Sequence, residues 1–249
     1  MFSKIKLSNE DQGKTSDESS SSSSSPMEGK CYCTKHLEKI VLDQIYPIDI
    51  DQLYRIIYEN HSDGCNEQGH SFTERIHRSR KIDDLITTEW KPLSDDERIE
   101  LPKQMKMLSV NIMDDIDLNR IWKRECKCTI HLNHVLCRQT VTRRQQYRLQ
   151  YDVGKAFVVY SQIRNESAPF SDSFVINTSW CATSTPDRCG ETRLIVRFQI
   201  SWIKSSLSLS MLKSTIEKSS FQGVVEYHRD MFQLLDDDLA SNRIATERK

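Results

Sequence analysis

The side chains best equipped for chemistry in this 249-residue chain are its eight cysteines and seven histidines. Two Cys-x-Cys pairs occur, Cys31/Cys33 and Cys126/Cys128, and His131 and His134 follow the second pair closely enough to suggest a metal site. On a strand, however, Cys126 and Cys128 share one face while His131 turns to the other. Structural zinc also usually takes Cys-x2–4-Cys pairs with matching partners. Cysteine is too sparse for a disulfide scaffold, and no secretory signal opens the chain, so the thiols are expected to be free, small core hydrophobes with no metal bound. His61, His70 and His77 lie in a polar stretch among carboxylates, but no HExxH or GxSxG string is present. With only seven glycines and no GxGxxG or Walker-type string, phosphate-cradling loops are not expected either. No catalytic residue and no cofactor are therefore assigned, and the chain is not read as an enzyme.

Basic and aromatic side chains form the second group. The 35 Lys+Arg and 36 Asp+Glu nearly cancel, leaving a formal charge of −1, so no global field recruits nucleic acid. The local distribution is uneven. Residues 94–117 hold seven acidic against three basic side chains. Residues 119–148 hold Arg120, Lys123, Arg124, Lys127, Arg138, Arg143, Arg144 and Arg148 against Glu125 alone, a local excess of seven positive charges. Such a strip could meet an anionic membrane transiently, at about 1 kcal/mol per basic residue, or be a solvated sheet face balanced by the acidic stretch before it. Trp90, Trp122, Trp180 and Trp202, with Phe157, Phe174 and Phe198, supply a large aromatic surface for core packing or for lining an apolar ligand cavity. No aromatic string of the kind that stacks RNA bases accompanies it, so no nucleic-acid partner is expected.

These residues need elements to hold them. The first thirty residues carry ten serines, seven of them consecutive, and bury too little apolar area to offset ordering entropy. Residues 1–36 are thus expected to be a disordered tail, either a phosphorylation-rich tether or a spacer. Asp49, with Gln52 three residues on, predicts a helix start, and Ile50, Leu53 and Ile56 or Ile57 make its apolar stripe. Leu209, Leu212, Ile216, Val224, Tyr227, Met231 and Leu234 or Leu235 predict a long amphipathic helix over 208–235, interrupted by Gly223. Between the two helices the period changes to two: Cys126 to Leu132, Val135 to Val141, Phe157 to Tyr160, Phe174 to Ile176 and Leu194 to Trp202 read as strands separated by polar turns. Residues 37–235 then form one α+β body, and 236–249 a polar C-terminal tail that is either a fraying helix end or a linker. No apolar run approaches the ~20 residues of a transmembrane helix, so a soluble chain on the cytosolic side is expected.

The order of segments resembles a known family. Ile40-Val41-Leu42-Asp43-Gln44-Ile45-Tyr46-Pro47-Ile48-Asp49 through Tyr54 is similar to the opening strand and helix of the VASt domain, the StAR-related lipid-transfer-like module of the Lam/Ltc and Aster sterol transporters. Trp90, Gln139-Thr140-Val141-Thr142 and Ala168-Pro169-Phe170-Ser171-Asp172-Ser173-Phe174 resemble further family segments in order. So do Leu194 to Trp202 with Lys204, and Leu212-Lys213-Ser214-Thr215-Ile216-Glu217-Lys218 with Gly223. The resemblance spans roughly residues 37–235. It implies a helix-grip, START-like fold, a curved antiparallel sheet around a long C-terminal helix, with a sterol-sized cavity, and transfer of sterol between membranes at endoplasmic-reticulum contact sites. It does not cover the acidic stretch between Trp90 and Trp122, where an elaborated loop is expected. Family members usually add a GRAM domain and a transmembrane helix, which are not seen in this sequence.

A sterol offers apolar surface and one hydroxyl, so its site needs an apolar lining and one or two polar groups. Strand alternation and helix periodicity nominate Trp90, Phe157, Phe174, Trp180, Phe198 and Trp202 from the sheet, with Ile216 and Tyr227 from the long helix. A non-catalytic protein-interaction module, its cavity closed, is the alternative. An enzyme in the same cavity would need a buried, paired His, Asp or Cys there.

Overall fold

The computed structural model describes residues 31, 33–59, 70–110, 117–134, 137–166, 168–185, 190–204 and 207–247. The serine-rich tail, His61 and the side chain of His134 lie outside the described residues. The elements in chain order are β1 (Lys39–Tyr46), α1 (Ile50–Tyr58), α2 (Phe72–Ser79), β2 (Asp83–Thr87), β3 (Lys91–Pro92) and α3 (Asp95–Met107). Then come β4 (Trp122–His134), β5 (Cys137–Asp152), β6 (Ala156–Glu166), β7 (Phe174–Ser184), β8 (Thr192–Trp202) and α4 (Leu207–Glu247). The eight strands form one antiparallel sheet in the order β1-β8-β7-β6-β5-β4-β2, with the short β3 beside β4.

Bulges at Ile40/Leu42 in β1 and Arg148/Gln150 in β5 bend the strands, and the sheet wraps around α4 in the helix-grip arrangement. Its inner face carries Phe157 and Val159 of β6, Trp180 of β7 and Leu194 and Val196 of β8. These pack on Leu53, Tyr54 and Tyr58 of α1 and on Met231, Phe232 and Leu235 of α4. The outer face is covered as well. Val158 and Tyr160 of β6 and Val175 and Cys181 of β7 pack against Leu101 and Met105 of α3 and against Leu37. Because β6 is covered on both sides, its first eight residues are all buried, which explains its unbroken apolar run. Asn177, fully buried on the outer face, accepts from the Tyr160 hydroxyl at 2.6 Å and donates to Ser201 Oγ at 2.8 Å. These bonds fasten β6 and β8 across β7.

The sequence-based expectation of two helices is two short. α2 and α3 each open with a reciprocal capping box, Ser71/Glu74 and Ser94/Glu97. α3 occupies part of the stretch expected to be a loop. Both ends of the folded body also extend further than expected. The long helix continues past residue 235 to Glu247, and Leu239 is buried in the core, so residues 236–247 continue α4. At the other end Cys31 and Cys33 pack against the outer-face core, inside the segment assigned to the tail. No helix among the described residues is long and apolar enough to cross a membrane.

Candidate functional site

A cavity of about 760 Å³ lies between the inner face of the sheet, α2 and α4, within the range of small-molecule pockets. Strand alternation builds one wall: Arg124, Cys126, Cys128 and Ile130 from β4, Thr140, Thr142, Arg144 and Gln146 from β5, Ser161 and Ile163 from β6, and Ile176, Thr178 and Trp180 from β7. Ile57 of α1, Phe72 and Ile76 of α2, and Ile216, Val224, Tyr227 and Met231 of α4 complete it. The β4–β5 side is polar and the helical side is mainly apolar. Pro169, Phe170, Leu212, Thr215 and Ser219 line the cavity and are themselves exposed, which places an opening between the β6–β7 loop and the start of α4.

At the other end an aromatic group closes the space. The Tyr58 ring stands 6.0 Å from Phe157, 5.9 Å from Trp180 and 6.1 Å from Trp90, centroid to centroid, and Trp180 packs on Phe232 at 5.7 Å. Edge-on contacts at these separations add to area burial. Arg124 sits among these rings, 4.6 Å from Trp90, donating to the Tyr58 carbonyl at 2.7 Å and to Gln146 Oε1 at 2.6 Å. Its burial lowers its pKa, though the hydrogen bonds and ring faces offset much of the desolvation.

Arg144 is the more exposed to the cavity. Its guanidinium lies 5.1 Å from the Tyr227 ring, and among the described residues no carboxylate forms an ion pair with it. His77 of α2 and His228 of α4 share this part of the wall. Burial, with the Arg144 charge adding to it, pushes both imidazoles down to about 4, so they are neutral at physiological pH. The Nδ1–H of His228 donates to the Val224 carbonyl at 2.7 Å, whereas His77 Nδ1 is buried without a partner. Neither histidine is paired with a carboxylate among the described residues.

Of the eight lining candidates, Trp180, Ile216 and Tyr227 border the cavity. Phe157 and Trp90 stand one layer behind it, in the aromatic group that closes the end. Phe174, Phe198 and Trp202 face the same side of the sheet but do not line the cavity; they pack in an adjoining cluster with Phe221 and with Ile163 and Ile176 of the cavity wall. Trp202 donates to Glu217 there, at 3.1 Å.

The eight basic residues do not make one outward strip, although β4 and β5 pair as expected, Lys127 opposite Arg143. Alternation sends Arg124 and Arg144 inward to the cavity. Arg148 lies against the rings of Tyr54, Trp90, Trp122 and Tyr151. Lys123, Arg120 and Arg143 are paired with Glu97, Asp152 and Glu125 respectively, Arg143 also with Glu166. Lys127 and Arg138 stay exposed.

Of the residues weighed as a metal set and set aside, Cys126 and Cys128 face the cavity and His131 stands at its margin with Nε2 2.7 Å from Asp83. The closed cavity required by the interaction-module alternative is absent. Phe72 and Ile76 are not among the sequence-nominated lining residues, and the one sequence signal for the helix that carries them and His77 is Ser71-x-x-Glu74 beside an apolar residue.

A family model described as "VAD1 Analog of StAR-related lipid transfer domain" matches residues 40–223. No curated protein matches the chain.

Proposed function

Since the chain belongs to the family of StAR-related lipid-transfer-like VASt domains, we propose that it takes a sterol-like lipid into the cavity and carries it between membranes without chemical conversion. The observation that carries this reading is the division of the cavity wall. Ile57, Phe72, Ile76, Ile216 and Met231 offer apolar surface to a lipid body, and His77 and Tyr227 offer a compact polar group to its hydroxyl. The unpartnered Nδ1 of His77 is suited to bond that hydroxyl. Phe170 and Leu212 at the opening, with Met211 beside them 80% exposed, suit transient contact with a bilayer rather than with water. Work at endoplasmic-reticulum contact sites is part of the same proposal.

One observation favours a second reading of the ligand. Arg144 faces the cavity with the Tyr227 hydroxyl beside it but no carboxylate partner among the described residues, which leaves its charge for a ligand to meet. An acidic lipid, such as one with a carboxylate or phosphate head, would do so by a charge-assisted hydrogen bond.

The test is binding of a fluorescent sterol analogue and its movement between liposomes with and without anionic phospholipid, beside binding of a fluorescent fatty acid. Saturable sterol binding and protein-dependent transfer, faster with anionic lipid, are expected. Absence of both overturns the transfer reading. Arg144→Met is expected to weaken fatty-acid binding about 10- to 100-fold, the worth of a charge-assisted contact, and to leave sterol affinity within a few-fold. Equal fatty-acid affinity in both proteins removes the second reading.

A further inference from the structure

Away from the cavity, on the outer face of the sheet, four ligand-capable side chains converge. The Sγ atoms of Cys31, Cys33 and Cys181 and a ring nitrogen of His36 all lie within 4.8 Å of one another. Cys33 Sγ stands 3.5 Å from Cys181 Sγ, and Cys31 Sγ 3.6 Å from His36 Nε2. The three cysteines are free thiols. We propose that Cys31, Cys33, His36 and Cys181 form a structural zinc site that staples the segment leading into β1 onto β7.

Three arguments support it. The first is ligand chemistry. Three thiolates and one imidazole are a recognised structural zinc set, and soft sulfur donors select zinc over magnesium, calcium or manganese. The second is distance. Zn–S bonds of ~2.3 Å at tetrahedral angles put ligand atoms ~3.7 Å apart, and the Cys33–Cys181 and Cys31–His36 contacts, 3.5 and 3.6 Å, already approach that edge. The third is the surrounding shell. Zinc with three thiolates carries a net charge of −1, and Arg197 on β8 supplies an opposite charge beside it. Arg197 pairs with Ser179, two residues from Cys181 and on the same face, and donates to the Leu37 carbonyl at 3.3 Å. Its Nε is buried without a partner, a donor available to a metal-bound thiolate. Local spacing hid the site, since Cys31-x-Cys33-x2-His36 supplies three ligands and the fourth stands 148 residues beyond Cys33.

Zinc would anchor residues 31–37 across the outer face of β7, whose inner face presents Trp180 to the cavity. This inference is independent of the ligand reading above. Its test uses the full chain, purified and then reconstituted with zinc or cobalt(II). Expected are one metal ion per chain, the intense thiolate-to-cobalt absorption of a tetrahedral site, and protection of three thiols from alkylation. Chelation is expected to lower Tm by about 5–10 °C. Cys181→Ser removes a buried ligand and could impair folding. Cys31→Ser and His36→Ala, on the edge segment, are therefore tested beside it, each expected to lose tetrahedral cobalt absorption and at least ten-fold in zinc affinity. Substoichiometric metal after reconstitution, an octahedral cobalt spectrum, unchanged affinity in both edge variants, or a Cys33–Cys181 disulfide in the purified chain overturns it.

Discussion

The two buried histidines give the cavity a defined response to acid. Burial, reinforced by Arg144, holds His77 and His228 at about 4, below their ordinary value of 6.5. Between those values the unfolded chain binds protons that the folded chain refuses, so stability is full above about pH 6.5 and falls as the pH drops toward 4. Below about 4 these two groups add no further loss. In urea titrations across this window, the slope should approach two protons taken up on unfolding, each worth about 1.4 kcal/mol per pH unit. Replacing both residues, His77→Gln and His228→Gln, should flatten it. A slope unchanged in the double variant would show that other groups carry the acid sensitivity. The same arginine that suppresses the imidazoles was read from sequence as part of a surface strip. Residue type alone could not say which way it faced. In β5 the inward parity is shared by Thr140, Thr142, Arg144 and Gln146, all polar side chains, so no hydrophobic alternation marked the buried face.

At the level of elements, α4 forms one wall of the cavity and borders its opening, and Gly223 lies within it at the cavity. A Cβ added at Gly223 would meet nothing within 4 Å. Gly223→Ala is therefore expected to stabilise the helix by roughly 0.5–1 kcal/mol and raise Tm by about 2 °C. A stiffer helix beside the opening should also yield less readily to a passing ligand, so lipid exchange measured by stopped flow should slow. A lower Tm would reveal a steric constraint that the surroundings do not show. How legible each element was depended on its periodicity. β6, β7 and β8 were readable because each holds a run rich in β-branched and aromatic residues, Phe157 to Tyr160, Phe174 to Ile176 and Leu194 to Trp202. α1 and the core of α4 were readable from three- and four-residue spacing. α2 and α3 were not, since α2 spans eight residues, too few for a clear stripe, and α3 buries only Leu101 and Met105. Their caps were the stronger signal. The grip topology itself came from resemblance, because no local pattern states which strands become neighbours.

For the molecule as a whole, the boundary of the folding unit has an energetic consequence. The family match ends at residue 223, in the middle of α4. Yet Met231, Phe232, Leu235 and Leu239 belong to the inner core, and His228 is buried against Trp180 and Phe232. The helix therefore stabilises the sheet mainly through residues that follow the matched segment. Beyond residue 235, Leu239 is 8% exposed, and Arg75 of α2 reaches Asp238 with its guanidinium, Nη1 to Oδ1 at 2.7 Å. Arg80, at the C-cap of α2, pairs with Asp230, about two turns before Asp238 on α4. Ending the chain after Leu235 should thus cost about 3 kcal/mol, from one lost leucine burial and one partly buried ion pair. The corresponding fall in Tm is about 6 °C or more. Two point variants divide the loss: Leu239→Ala should account for most of it, and Asp238→Asn for about 1 kcal/mol or less. Because Arg75 and Arg80 tie α2 to α4 on either side of the wall that carries His77, the Asp238 variant should also loosen the wall. Hydrogen exchange in α2 should rise there while that of β6 and β7 stays unchanged. Wild-type stability in the truncated chain would instead make the last turns of α4 dispensable, with the grip complete at Leu235.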